Sequence, residues 1–262
     1  MTPAGRVDVV LPIVNEAAEL ALRFFRRQEE LQVDRKGHQD FVSQADRAVE
    51  ELLRRRLSDR LPEDGIVGEE GSRVAGSSGF TWVIDPIDGT TNFIGGIPAW
   101  TVVLAGVSEG RTQVGIIQDP CHGEVFIAVR DQGATLNGTP LRVPDGDRLS
   151  DGTTGIGFSN RVENAGAIKL AQNIFDEGGI FLRNASGALS IAYVAAGRLL
   201  GYVEEHMNAW DCLAAQLIVE EAGGRAEEQD ADDMIERGGR VVVGSRGVFD
   251  DLVRIADASF GT

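Results

Sequence analysis

The stretch WVIDPIDGTTNF, residues 82–93, joins an apolar segment to two aspartates that stand three positions apart. Trp82 to Ile84 has the pattern of a buried strand, and Asp85 follows at the carboxyl end, where ligand sites form in α/β folds. The proline and isoleucine after it are expected to bend the chain, so that Asp88 returns a second carboxylate to the same side. The stretch therefore predicts a strand that ends in a polar site.

The residues that follow the strand suggest what this site binds. Asp85 and Asp88 offer hard oxygen ligands of the kind that Mg²⁺ prefers. Gly89 permits close approach of the backbone, and Thr90 to Phe93 can begin a helix whose free N–H groups attract an anion. One aspartate here would indicate a turn, and Asp88 could serve as a helix N-cap. Two aspartates before Gly-Thr-Thr favour a metal and phosphate site.

Acidic residues elsewhere in the chain could complete such a site. Glu69 and Glu70 are adjacent, so on an extended segment they point to opposite sides and only one would face the metal. A plain acidic turn is the alternative for this pair. Asp211 falls in the first turn of a helix predicted over 209–222, with Asn208 as its N-cap. In that position an aspartate can also serve only to cap the helix.

Composition and charge limit the classes of function. Hydrophobic residues make up 42% and charged residues 25% of the 262 residues, which is typical of a globular protein. The net charge of −16 argues against a nucleic-acid-binding surface. No apolar run approaches the roughly 20 residues of a membrane span, and the N-terminus lacks a signal-peptide pattern. Cys121 and Cys212 have no CxxC spacing, which favours reduced thiols and a cytoplasmic location.

The order of helices and strands predicts a layered α and β architecture in one domain, 1–262, with halves of about 1–150 and 151–262. Ser43 and Asp46 are expected to form a capping box at the start of the second helix. Antiparallel strands are expected in the rest of the first half, and strands alternating with helices in the second. The acidic segment EEQDADDMIERGG, 227–239, is expected to be a solvated loop.

At this point the sequence resembles the inositol monophosphatase family. GEE at 68–70, the stretch at 82–93 and WDCLAAQLIVEEAGG at 210–224 are similar to its three signature regions, in the same order. DFVSQADRAVE at 40–50 and RNASGALSIAYVAAGRLLGYVE at 183–204 are similar to two further segments, so the resemblance covers nearly the whole chain. It implies a five-layer αβαβα sandwich, a homodimer, and Mg²⁺-dependent hydrolysis of a phosphate monoester with inhibition by Li⁺.

The resemblance also implies roles for individual residues. A first metal site would use Glu69, Asp85 and the carbonyl of Ile87. A second would use Asp85, Asp88 and Asp211, and a third, weaker ion would depend on Glu69 and water, which makes two to three Mg²⁺ ions per site. Glu69 and Thr90 would assist the attacking water, with Asp46 as the partner of Thr90. The substrate-binding residues implied are Asp88, Gly89, Thr90, Ser186, Glu204 and Asp211.

The alcohol half of the substrate is left open. Glu204 matches a position that contacts inositol hydroxyls in inositol-specific members, but Glu205 and His206 add unfamiliar chemistry beside it. Ala185 and Asn208 also depart from the family pattern. Inositol monophosphate or a similar polyol or sugar phosphate is the first hypothesis. The alternatives are a nucleotide of the 3′-phosphoadenosine 5′-phosphate type, histidinol phosphate, or a non-catalytic metal-binding regulatory protein on the same fold.

Two further expectations concern the surroundings of the site. The residues that select the alcohol are expected within 159–161 and 183–208. The three histidines have no triad context, so they are interpreted as surface or substrate-rim residues; they are His38, His122 and His206.

Overall fold

The structure is a computed structural model, and it describes residues 1–37, 40–146, 148–159 and 162–261. Its helices are α1 (Pro3–Phe25), α2 (Gln44–Arg60), α3 (Thr90–Ile94), α4 (Asn164–Asp176), α5 (Gly187–Ala195), α6 (Ala209–Glu221), α7 (Ala231–Arg237) and α8 (Phe249–Phe260). Its strands are β1 (Val33–Gly37), β2 (Asp40–Ser43), β3 (Gly65–Gly68), β4 (Phe80–Asp88), β5 (Thr101–Ser108), β6 (Arg111–Asp119), β7 (Glu124–Val129), β8 (Ala134–Leu136), β9 (Thr139–Pro140), β10 (Thr153–Ile156), β11 (Ile180–Leu182), β12 (Gly201–Met207), β13 (Arg225–Ala226) and β14 (Gly239–Gly244).

Two larger sheets organise these elements. The first has seven strands in chain order from β3 to β9, antiparallel except for the parallel pair β3 and β4. Two-residue turns connect β5 to β6 and β8 to β9, and Asn137 and Gly138 of the second turn both have positive φ, which suits a hairpin loop of this length. The second sheet has five strands in the order β11-β10-β12-β14-β13, with β10 parallel to both of its neighbours. The predicted antiparallel sheet of the first half is confirmed.

Strand β4 shows how the layers form. Trp82 and Ile84 pack in an apolar cluster with α1 and α2, whereas Val83 packs in a second cluster with α5 and α6. Successive side chains of a strand alternate between the two faces of its sheet, so the seven-stranded sheet has helices on both faces. The second cluster also contains Val241 and Val243 of β14, which places α5 and α6 between the two sheets.

A third apolar cluster covers the other face of the five-stranded sheet. It joins Leu170 and Ile174 of α4 and Leu252 and Ile255 of α8 to strand residues that include Val242. The order of layers is therefore helix, sheet, helix, sheet, helix, and the expected αβαβα sandwich is confirmed. Within the described ranges, no helix is long and apolar enough to cross a bilayer.

The predicted start of α2 is also confirmed. The Ser43 side chain accepts hydrogen bonds from the amides of Ala45 and Asp46, and Asp46 accepts one from the Ser43 amide at 2.8 Å. This capping box satisfies amides that have no partner within the helix. It also fixes Asp46 at the amino end of α2, with its side chain fully buried.

The expectation of a solvated loop at 227–239 is wrong over its central part, which forms α7. Asp230 is the N-cap, and its side chain accepts a hydrogen bond from the Asp233 amide at 3.0 Å. Acidic residues in the first turn favour a helix because they interact with its positive end. Ala231 and Met234 lie three positions apart and are buried in the second apolar cluster, which contains α5 and α6. Those two apolar contacts turn an acidic segment into a packed helix.

Candidate active site

A β-bulge places the two aspartates of β4 on one side of the chain. Asp85 pairs with Val103 of β5 and Asp88 with Thr101, so the two residues after Asp85 lie opposite a single residue of β5. In a regular strand, residues three apart point to opposite faces. The extra residue removes this offset, which confirms the predicted return of the second carboxylate and explains how it occurs.

Asp211 joins these two aspartates from the first turn of α6. Carboxylate oxygens of Asp85, Asp88 and Asp211 all lie within 4.8 Å of one another. Asp211 also accepts hydrogen bonds from the Asn208 amide and side chain, at 3.2 and 3.3 Å. Asp211 therefore caps α6 and also contributes to the acidic cluster, while its role as a metal ligand stays a prediction.

Burial and the like charges of the cluster raise the pKa values of Asp85 and Asp88. Burial, followed by the charges of Glu69, Asp211 and Asp88, raises the pKa of Asp85 well above its ordinary value. Burial and the charge of Asp211 raise the pKa of Asp88 to about 7, although hydrogen bonds from Ser186 and the following amides oppose this shift. Buried like charges at this spacing need a cation to compensate them. An all-oxygen donor set fits a hard divalent ion such as Mg²⁺.

Helix α5 holds Asp88 in place through its amino end. The Ser186 hydroxyl donates a hydrogen bond to Asp88, and the amides of Gly187 and Ala188 donate two more at 3.1 and 2.9 Å. Ser186 is buried, and its contact here is with a candidate metal ligand; its predicted role in substrate binding stays a prediction. Ala185 precedes this turn with φ of 61°, a left-handed conformation that disfavours any side chain.

Gly89 and Thr90 begin α3 beside the acidic cluster. Gly89 has φ of 94°, and a β-carbon on it would lie 3.0 Å from the Ala99 carbonyl and 3.1 Å from the Ser186 side chain. Glycine is therefore required here, both for backbone conformation and for space. The Thr90 hydroxyl lies 3.1 Å from Asp46 Oδ1 and 3.1 Å from the Ile87 carbonyl. The structure thus brings Asp46, Ile87 and Thr90 together, as the resemblance implies.

Glu204 lies in β12 and is buried beneath the site. Its carboxylate accepts a hydrogen bond from the Tyr202 hydroxyl at 2.5 Å, and burial raises its pKa to about 7. The charges of Asp211 and Asp88 raise this pKa further, so Glu204 lies within electrostatic reach of the acidic cluster. The side chain of Arg183 acts on Glu204 in the opposite direction.

The remaining predicted rim residues are only partly gathered at the site. His206 Nε2 lies 3.0 Å from the Arg237 carbonyl, and His122 Nδ1 lies 2.7 Å from Asp119, so both contact protein groups. Ser159 is buried, while residues 160 and 161 of the predicted specificity segment lie outside the described residues, as does His38.

Three residues that support the site were missed by sequence reasoning. Asn92 donates hydrogen bonds to the carbonyls of Ala99 and Asn184, at 2.7 and 2.5 Å, and so ties α3 to the segment before α5. Glu50 and Arg54 of α2 form an ion pair with a separation of 2.6 Å. The four-residue spacing of this pair on a helix was a signal that could have found it.

Comparison with known proteins agrees with this geometry. The family model described as "Inositol monophosphatase family" matches residues 7–258. A Pasteurella multocida protein named Nus factor SuhB is 37% identical over 221 residues, which cover 83% of each chain. An inositol-1-monophosphatase of Mesorhizobium japonicum is 36% identical over 249 residues, covering 94% of this chain and 93% of the relative.

A solved structure shows the same arrangement of layers. The extragenic suppressor protein suhB of Bartonella henselae superposes with a TM-score of 0.90 at 32% identity, covering 96% of this chain and 98% of that one. Residues 7–258, which the family model matches, include both larger sheets and every residue of the acidic cluster. The chain therefore belongs to the inositol monophosphatase family and is a phosphomonoester hydrolase.

Proposed function

We propose that this protein hydrolyses a small phosphate monoester in a Mg²⁺-dependent reaction, and that the substrate is inositol monophosphate or a similar polyol or sugar phosphate. One observation carries the proposal. Oxygens of three carboxylates, two of them on buried residues, lie within 4.8 Å of one another beside a glycine that begins a helix. This combination suits a divalent cation and a phosphoryl group at adjacent positions.

Different residues would bind the metal ions and orient the phosphate. Glu69, Asp85, Asp88, Asp211 and the Ile87 carbonyl would hold the two to three Mg²⁺ ions. When bound, these ions would polarise the phosphoryl oxygens and lower the pKa of a water molecule. The backbone from Asp88 to Thr90 would orient the phosphate. Positioning and charge of this kind account for most of the catalysis in phosphoryl transfer.

Thr90 and Asp46 would handle the proton of the attacking water. The Thr90 hydroxyl can donate its hydrogen to Asp46 Oδ1 at 3.1 Å, which leaves an oxygen lone pair free to accept from water. Burial raises the pKa of Asp46, while hydrogen bonds from Ser43 and Thr90 oppose that rise. Glu69 would accept from the same water on its other side. Thr90 and Glu69 would align this water as the nucleophile, and neither would form a covalent bond to the substrate.

Glu204 offers an acceptor to a polyol hydroxyl, whereas Arg183, 5.2 Å from the ring centroid of the exposed Phe158, offers an aromatic and cationic pair to a nucleotide base. A nucleotide would need exposed aromatic and cationic groups near the rim. Tyr202 is buried and bonded to Glu204, and Arg198 is paired with Glu124. Neither is placed to receive a base. A carboxylate such as Glu204 accepts hydrogen bonds from alcohol hydroxyl groups, which a polyol supplies.

Phosphate release from a panel of monoesters tests this function. The panel contains inositol 1-phosphate, a hexose phosphate, histidinol phosphate and 3′-phosphoadenosine 5′-phosphate, each with Mg²⁺, with Mg²⁺ and Li⁺, and with EDTA. We expect the largest kcat/KM for the inositol or sugar phosphate, inhibition by Li⁺, and no release in EDTA. Full activity in EDTA would disprove the metal-dependent mechanism, and preference for the nucleotide would reassign the substrate.

A second candidate function rests on the names of the relatives. The Pasteurella multocida and Pseudomonas aeruginosa relatives are both named Nus factor SuhB, so a regulatory protein with a metal site is the alternative. Mg²⁺ binding in a calorimeter without turnover of any monoester in the panel would favour this alternative. The homodimer is proposed on family grounds alone, and light scattering tests it. The cytoplasmic location is proposed from Cys121 and Cys212, which are both free thiols.

Removal of the metal is expected to make stability strongly dependent on pH. The pKa of Asp88 is raised in the folded state, so the metal-free protein is favoured below an ordinary aspartate pKa of about 4. This contribution to the free energy of unfolding is lost as pH rises through about 7, the raised pKa of Asp88 in the folded protein. Mg²⁺ binds the ionised carboxylates and should restore it, raising the melting temperature by roughly 5–10 °C at 100 times its Kd.

Thermal melting between pH 4 and pH 8, with EDTA and with Mg²⁺, measures this effect. Asp88→Asn is the matched control, because it removes the titrating carboxylate and leaves the other acidic residues in place. We expect a smaller fall in melting temperature with pH for this variant in EDTA. Equal pH profiles for the two proteins would contradict the assignment.

A further inference from the structure

Helix α2 presents three polar residues at four-residue intervals toward the site: Asp46, Glu50 and Arg54. Side chains four apart lie above one another on one side of a helix. Asp46 contacts Thr90, as described above. Glu50 is 2% exposed although it carries a charge, which is unusual for a glutamate unless it is paired. Its partners show what this charge does.

Glu50 and Arg54 form hydrogen bonds with the backbone of the turn that follows β3. Glu50 Oε2 accepts a hydrogen bond from the Glu70 amide at 2.8 Å, and Glu50 Oε1 accepts one from Arg54 Nε at 2.6 Å. Arg54 Nη1 donates to the Ser72 carbonyl at 2.8 Å. The pair therefore holds the backbone of this turn at two points, immediately after Glu69. On its other side, the Glu69 amide donates to the Ile84 carbonyl of β4 at 3.2 Å.

Two glycines make room for the pair. A β-carbon on Gly71 would lie 2.8 Å from both Glu50 Oε1 and Arg54 Nε. A β-carbon on Gly68 would lie 2.8 Å from Arg54 Nη2 and would overlap the Glu50 carboxylate. Real β-carbons essentially never lie closer than 3.0 Å to another atom, so a side chain at either position would displace the ends of Glu50 and Arg54. The sequence Gly-Glu-Glu-Gly is thus explained by the two side chains beneath it.

We propose that Glu50 and Arg54 are positioning residues that hold Glu69 at the metal site and thereby set the affinity for Mg²⁺. The inference rests on the proposed function, since it takes Glu69 as a metal ligand. The Glu69 amide donates to the carbonyl of Ile84, the residue before Asp85, so Glu69 lies beside the strand end that carries the acidic cluster. Glu50 fixes the peptide group next to Glu69, and Arg54 compensates the buried charge of Glu50. Neither residue is among those that the proposed function assigns to the substrate.

The test compares Mg²⁺ affinity, measured by calorimetry on the full chain, in Glu50→Gln and in a matched control. Glutamine retains the shape of the side chain but presents one acceptor, so it cannot serve both the Glu70 amide and Arg54. We expect the Kd for Mg²⁺ to rise by about 10-fold, the lower end of the effect of losing a direct partner of a metal ligand, because Glu50 holds the peptide beside Glu69 and not its carboxylate. Glu51→Gln changes the adjacent, exposed glutamate and should leave the Kd unchanged.

A second variant keeps the proposal testable if Glu50→Gln does not fold. Arg54→Lys keeps the positive charge, but an amine lacks the guanidinium fork that reaches both Glu50 and Ser72. It should raise the Kd by a smaller factor, with exposed Arg55→Lys as its control. Melting curves in EDTA confirm that each variant is folded at the temperature of the titration. In turnover, saturating Mg²⁺ should restore most of kcat, and the substrate KM should change little.

The outcomes separate this inference from the proposed function. Wild-type affinity in folded Glu50→Gln and Arg54→Lys would overturn the positioning role even if the protein is an active phosphatase. If the wild type binds Mg²⁺ but hydrolyses no monoester, the proposed function fails, and the comparison of Kd values still decides the role of the pair. If the wild type does not bind Mg²⁺, both are wrong.

Discussion

Asp85→Asn is expected to lower kcat/KM for phosphate release by at least about 10³-fold, because it removes charge from the centre of the acidic cluster that is proposed to hold the metal. The charges of Glu69, Asp88 and Asp211 all act on Asp85, so Asp85 lies among the other candidate ligands. An amide offers one neutral oxygen to a cation, where the carboxylate offers two that share a charge. Steady-state kinetics with the best substrate of the panel measures the loss.

The same substitution should stabilise the metal-free protein. Burial and like charges raise the pKa of Asp85, so its ionised form costs folding free energy at neutral pH. The neutral amide removes that cost, and we expect a higher melting temperature in EDTA than for the wild type. Asp232→Asn, exposed on α7, is the control and should alter neither property. A variant that retains turnover would contradict the assignment of Asp85.

Thr90→Ala is expected to reduce kcat by about 10²-fold or more, because it removes the hydroxyl that aligns the attacking water. This hydroxyl lies 3.1 Å from both Asp46 Oδ1 and the Ile87 carbonyl, so its orientation is set by two acceptors. The carboxylates of the cluster are unchanged, and the Mg²⁺ concentration for half-maximal activity should therefore shift little. Measurement of kcat over a range of Mg²⁺ concentrations separates the two effects.

Two substitutions control for packing at this position. Thr90→Ser keeps the hydroxyl and should retain most of kcat. Thr91→Ala alters the neighbouring, exposed threonine of the same helix and should behave as the wild type. If serine proved as slow as alanine, the methyl group rather than the hydroxyl would matter. That result would remove Thr90 from the proton-handling role.

Local patterns made several parts of the molecule predictable. The capping boxes at Ser43 and Asn208 and the buried strand before Asp85 depend on residues within a few positions of one another. The layered fold followed from hydrophobic periodicity together with the family resemblance. The helix at 231–237 was missed because its two buried residues pack in the second apolar cluster, with α5 and α6. The sequence of a short acidic segment does not reveal a contact with residues that are distant in the chain.

The sequence alone predicted the ligand chemistry, since carboxylates, a glycine and a threonine at these spacings favour a hard cation and a phosphate. Only the tertiary structure decided how these groups are held. The β-bulge turns Asp85 and Asp88 to one side, the amino end of α5 binds Asp88, and α2 supports the turn beside Glu69. These contacts join residues from 13 to about 100 positions apart in the chain. They depend on how the layers pack, which no local pattern of residues encodes.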